Sequence, residues 1–157
     1  FSFFFFFSDQ IKYLASNNNI ICFYTEHMET LLNLLLSIII GGMITFQVLF
    51  APLIFVKLET RTARAFIRQF FPFYYLYFGL LTLASLVVAV YLNRSTDGIV
   101  LAVSLAGSII SRQYLMPKAN TASDAGNKSR FDLLHRLTVL INTLQLVAIC
   151  YLILFNR

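Results

Sequence analysis

Four runs of apolar residues constrain this chain more than any other feature: 31–56, 70–92, 99–116 and 131–155. Crossing the hydrocarbon core of a bilayer takes about 20 residues of helix, and each run is near that length. Of 157 residues, 59% are hydrophobic and only 12% charged, about half the charged share of a soluble domain. A chain of this size cannot enclose so many apolar side chains in one aqueous core, because surface still dominates at this length. Lipid must be the solvent for much of it. The expected fold is all-α: an integral membrane four-helix up-down bundle, with a short amphipathic interfacial helix between spans 1 and 2.

Residues 1–27 read as a segment apart, rich in Phe, Asn and Ile. Phe3 to Phe7 is too short to span, and the stretch lacks the basic start and cleavage site of a signal peptide. It is expected to be an upstream translated or poorly ordered extension, or else a short interfacial segment, with Met28 a credible start. The four-span domain is then 28–157. Cys22 and Cys150 have neither metal-ligand nor disulfide-framework spacing, and Cys150 reads as a buried structural thiol.

Span 1 carries Asn33, Ser37, Gly41 and Thr45 four residues apart, a small-residue strip of the kind that lets membrane helices approach. Pro52 should kink its lower part. Between spans 1 and 2, Arg61, Arg64 and Arg68 share one helical face opposite Ala63, Phe66, Ile67 and Phe70. That pattern suits a helix lying among lipid headgroups. Span 2 opens with Pro72 and with Phe73, Tyr74, Tyr75, Tyr77 and Phe78, an interfacial aromatic belt or, more sharply, a stacking site for a flat ligand. Further along, Thr82, Ser85 and Ala89 form a second strip.

Span 3 places Ser104, Ser108 and Ser111 on one face, ends near Arg112 and Gln113, and breaks at Pro117. Arg112 is expected to snorkel from the helix end, since an arginine at the bilayer centre costs roughly 3 kcal/mol. After a polar loop at Asp124-Ala125-Gly126, span 4 carries Phe131, His135, Thr138, Asn142 and Gln145 in one stripe. Asp132 and Arg136 stand in the acid-first order of an intrahelical ion pair. The stripes of spans 1, 3 and 4 are expected to face inward.

The two basic stretches, 57–69 and 112–136, hold nine Lys and Arg, against Lys12, Arg94 and Arg157 elsewhere. The positive-inside rule places both stretches in the cytoplasm, and both termini outside it. The net charge of +5 is therefore read as loop charge that meets anionic lipid headgroups, with no nucleic acid as partner.

Several pieces carry a family resemblance: Thr45-Phe46, Phe55-x-x-Leu58, Phe71-Pro72-Phe73-Tyr74-Tyr75, Tyr114-Leu115-x-Pro117 and Phe131-x-x-x-His135-x-Leu137-Thr138-x-x-x-Asn142. In that order, over roughly residues 41–145, they resemble the transmembrane protein 205-like domain, a group of small four-span membrane proteins. The short connection between spans 3 and 4 resembles bacterial members, which implies a bacterial inner membrane. The resemblance implies a fold and no mechanism.

The leading functional reading is a non-enzymatic bundle that assembles with itself or a membrane partner, or assists passage of a solute. A ligand site, if present, is expected among Arg112, His135, Thr138, Asn142, Tyr74 and Tyr75, because those span ends share one side. The alternatives are a haem-binding redox protein with His135 as axial ligand and a proton-coupled carrier using His135. No cofactor and no metal site is expected otherwise. Hydrolytic, zinc-protease and phosphate-loop motifs are missing from the sequence.

Overall fold

The structure, a computed structural model, describes the backbone of residues 2–155 and the side chains of residues 21–155. The Phe3–Phe7 run thus lies outside the described side chains. Six α-helices follow one another: α1 Ser2–Thr45, α2 Ala51–Lys57, α3 Thr60–Tyr91, α4 Ser95–Ile110, α5 Met116–Asp124 and α6 Lys128–Phe155. Five-residue π-helical turns, Phe46–Phe50 and Ser111–Leu115, join α1 to α2 and α4 to α5 without a break. The result is four continuous rods long and apolar enough to cross a membrane: Ile21–Lys57, Thr60–Tyr91, Ser95–Asp124 and Lys128–Phe155. Among the described residues there is no strand.

The prolines explain the π turns. Proline has no N–H, and its ring collides with the carbonyl four residues back. Widening the preceding turn removes the collision. Ala51 N–H therefore bonds to the Phe46 carbonyl, and Met116 N–H to the Ser111 carbonyl. Pro52 and Pro117 then sit in the first turn of α2 and α5, where a missing donor costs little.

Two expectations are corrected here. Span 3 does not break at Pro117 but continues to Asp124, so the 3–4 connection shrinks to a turn around Gly126, whose φ is +68°. The basic segment 57–69 is not a separate interfacial helix. Only Leu58 and Glu59 separate α2 from α3, and Arg61, Arg64 and Arg68 are exposed on the first turns of α3.

Helix α1 packs beside α3 and α6, and α4 packs beside the same two. The order around the bundle is α1, α3, α4, α6. The core consists of Leu32, Leu36, Ile39 and Met43 from α1, Tyr74, Tyr75, Phe78, Val88 and Ala89 from α3, Leu101 from α4, and Ile149 and Leu152 from α6. Ser37, Gly41 and Thr45 are exposed, so the small-residue strip of span 1 faces away from the bundle. Close approach is made instead at Gly42, where an added Cβ would stand 2.9 Å from the Phe78 ring. Of the expected aromatic belt, only Phe73 and Tyr77 are exposed; Tyr74, Tyr75 and Phe78 belong to the core. The helical period groups these three with Thr82 and Ser85 on the inward face.

The two halves of the bundle are built alike. Gly42 stands as far before Pro52 as Gly107 stands before Pro117, and each π turn occupies the same place in between. Gly42 meets α3 at Phe78, and Gly107 meets α6 at Gln145 and Ile141. Rotating α1 onto α4 and α3 onto α6 leaves the order around the bundle unchanged.

Candidate functional site

Both π turns converge on one stretch of α3. From the first turn, the Phe46 ring lies 5.2 Å from Phe70, 5.6 Å from Phe71 and 4.8 Å from Tyr74. From the second, Arg112 Nε donates to the Pro72 carbonyl at 3.2 Å, and Ser111 lies beside the Tyr75 hydroxyl. Pro72 itself stands inside α3 and leaves that helix one donor short. Three of the four rods therefore lose regular backbone bonding near one level, while α6 has no proline.

Arg112 is half-buried and lies well inside the rod Ser95–Asp124. It stands six residues before Lys118, roughly 9 Å along a helix. Rather than snorkelling from a helix end, it reaches across to α3. Among the described residues no carboxylate lies within ion-pair distance of it.

Two buried polar atoms at this level close no hydrogen bond: Gln47 Nε2 and Ser111 Oγ. Ser111 is fully buried. Three other buried hydroxyls bond back to the carbonyl four residues earlier: Thr82 to Phe78, Ser85 to Leu81 and Ser108 to Ser104. Ser111 opens a π turn and makes no such bond. An unsatisfied buried polar group costs about 1–3 kcal/mol, so both positions favour a further hydrogen-bond partner.

The expected site residues divide. Tyr74 and Asn142 do meet: Asn142 Nδ2 donates to the Tyr74 hydroxyl at 3.1 Å, and that hydroxyl lies 3.4 Å from Oδ1. Thr138 is buried and bonds back to the His135 carbonyl at 2.7 Å. One turn further in, Gln145 Nε2 donates to the Ser104 carbonyl at 2.6 Å and lies 3.4 Å from Ser108 Oγ.

His135 stands apart from this group. It is exposed, and its ring stacks on Phe131 at 5.8 Å. Asp132 and Arg136 form no ion pair among the described residues. Such a pair is worth only about 0.3–0.5 kcal/mol, too little to hold two side chains in one geometry. The ion pair at this end is instead Arg68 Nη2–Asp124 Oδ2 at 2.6 Å, and Arg68 also donates to the Asn120 carbonyl at 3.1 Å. Arg61 and Arg64 are exposed beside it.

A second charged cluster at the opposite end escaped sequence reasoning. Asn93, with φ +56°, turns the chain out of α3. Arg94 then lies between α1 and α4, 2.9 Å from Glu29 Oε1 and 3.5 Å from Asp97 Oδ2. Asp97 is 1% exposed. The hydrogen bond that Arg94 donates to Glu29 raises the Arg94 pKa above its ordinary value, partial burial opposes that rise, and the charges of Glu29 and Asp97 add to it. The legible signal was Asp97 itself, a carboxylate in the first turn of an apolar helix, three residues after an arginine.

Among the described residues no group of three His, Cys, Asp or Glu side chains could hold a metal ion. Cys22 and Cys150 are free thiols, the first exposed and the second half-buried. No curated protein and no solved structure matches the chain. Residues 34–128, from within α1 through α5, match the domain of unknown function DUF4149, and the protein belongs to that family.

Proposed function

We propose that this protein is a non-enzymatic integral membrane bundle that assists passage of a solute. One observation carries the reading: two parallel rods, α1–α2 and α4–α5, wind into π turns before proline at matching positions, and both turns bear on the Pro72 region of α3. Membrane carriers built from repeated halves place their sites where helices are interrupted at the repeat interface. Irregular backbone at membrane depth is tolerated where it is enclosed by protein or lines a cavity. The unpartnered Gln47 and Ser111 atoms at that level fit such a site.

The basic ends of the rods lie in the cytoplasm on this reading, with Arg61 and Arg64 against anionic headgroups. The membrane is a bacterial inner membrane, and the chain is kin to the transmembrane protein 205-like group through Phe71–Tyr75, Tyr114–Pro117 and Phe131–Asn142. The polar contact Tyr74–Asn142 joins the two halves, and Gln145–Ser104 joins α4 to α6 within the second. Exposed His135 does not share in them, which favours this reading over a carrier or a haem site centred on that imidazole.

The test is solute entry into proteoliposomes, followed by stopped-flow light scattering under gradients of small organic acids, inorganic phosphate and glycerol. Permeability above protein-free liposomes for at least one solute, reduced by Pro52→Ala and Pro117→Ala, supports passage. Equal permeability with and without protein for the whole set sinks it.

A further inference from the structure

We infer that the level of the two π turns is a binding site for an oxyanion, a carboxylate or phosphate group, with Arg112 as its charge partner. This deepens the solute reading, on which it rests, by naming the chemical class carried.

The donor set points to that class. Arg112 brings a guanidinium that spends Nε on the Pro72 carbonyl and meets no carboxylate among the described residues. An arginine lodged in an apolar rod without a counter-charge is costly, and a planar fork of N–H donors matches an oxyanion's geometry. Beside it, Ser111 is fully buried, and its Oγ has the Tyr75 hydroxyl nearby but closes no tight hydrogen bond. Across α3, the first π turn holds Gln47, whose buried Nε2 also has no acceptor.

Gln47 and Arg112 occupy the same position, the second residue, in the two π turns. The repeated halves thus present a neutral donor and a cationic donor at matching places. The hydroxyl of Ser111 and the guanidinium of Arg112, neighbours in the chain, can both donate to one acceptor-rich ligand. A cation has no carboxylate to meet at this level. A neutral apolar solute would leave the guanidinium without a charge partner.

The oxyanion has two possible sources, a water-borne solute or the phosphate of a lipid that reaches in from the basic end. The experiment separates them. Full-length protein labelled with 15N-arginine is placed in phosphatidylcholine nanodiscs, and the Arg112 Nε–H resonance is assigned by its loss in Arg112→Lys. Inorganic phosphate and succinate are titrated in turn, and phosphatidylcholine is then replaced by phosphatidylglycerol.

A saturable shift of the Arg112 resonance with phosphate or succinate supports the site with a soluble occupant. Ser111→Ala should then weaken binding about tenfold, the effect of one hydrogen bond to a charged group, while the elution volume in detergent stays unchanged. A shift with phosphatidylglycerol alone supports the site with a lipid headgroup as occupant, and removes its support for solute passage. A resonance unmoved by all three overturns the inference. Solute flux measured alongside that null result would leave the passage reading standing with a different substrate class.

Discussion

Gln145 Nε2 donates to the Ser104 carbonyl at 2.6 Å, in space that exists because residue 107 is glycine. A Cβ at Gly107 would stand 2.6 Å from that same nitrogen and 3.1 Å from Ile141. Helix α4 thus meets α6 through an amide seated on bare backbone. Gly107→Ala must push the amide aside, and Gln145→Ala removes it. Each change should cost about 1 kcal/mol, the scale of a polar contact between membrane helices. The double variant should cost little more than either alone, because both lose one interaction. Thermal unfolding of the four proteins in one detergent checks this, and simple additivity would refute it.

The two charged clusters should differ in weight. Arg68 and Asp124 are 44% and 64% exposed. Asp124→Ala should cost less than about 1 kcal/mol, and the loss should vanish in molar salt. Unfolding of the variant at low and high salt reads this directly.

Arg94 faces a carboxylate that is 1% exposed, at Asp97. Arg94→Met should cost about 3 kcal/mol, in the range for breaking a buried pair, and more than Glu29→Gln, whose carboxylate is half-exposed. Asp97→Asn added to Arg94→Met should recover part of the loss. The raised Arg94 pKa fixes the pH response. Stability from a raised basic group is complete below its unfolded value and is lost only as pH climbs through the folded one. The difference between wild type and Arg94→Met due to Arg94 itself should therefore stay flat from about pH 6 to pH 9. Chemical unfolding across that range tests it.

Restoring an N–H at either kink should act on passage before stability. Pro117→Ala permits regular winding through 111–115. That would rotate Arg112 and Ser111 relative to α5 and draw them from α3. Unfolding should change by less than about 1 kcal/mol or rise slightly, while solute flux falls severalfold. Unchanged flux in Pro52→Ala and in Pro117→Ala would separate the π turns from function.

His135→Ala should leave unfolding within about 0.5 kcal/mol of wild type, as for an exposed side chain away from any network. The visible spectrum with added haemin should be the same for both proteins. A Soret band that disappears in the variant would restore the axial-ligand reading.

Four spans, their order, the small-residue strip of span 2 at Thr82 and Ser85, and the inward face of span 3 at Ser104, Ser108 and Ser111 were legible in the sequence. Hydrophobic run length and helical period are local properties of the chain. The same period put His135 in line with Thr138 and Asn142, yet on this part of α6, which packs against α5, Phe131, Leu134 and Thr138 turn inward and His135 is exposed. It also made Asn33, Ser37, Gly41 and Thr45 look like a packing strip. In a bilayer both sides of a helix can be apolar, so periodicity does not say which side meets protein.

Composition and the spacing of apolar runs determined that this chain forms long membrane-type helices, because no aqueous fold could bury so much hydrocarbon. Only the tertiary structure decided where those helices are interrupted. A proline in sequence is compatible with a break, a kink or a widened turn. It is the widened turn at both Pro52 and Pro117, each packed beside α3. The same packing joined Tyr74 to Asn142 and Arg112 to Pro72, and made one ion cluster of Glu29, Arg94 and Asp97. Apart from Arg94 and Asp97, which stand three residues apart, these contacts join residues far apart in the chain. No local pattern encodes them, since each depends on the rotation of one helix about its axis relative to another.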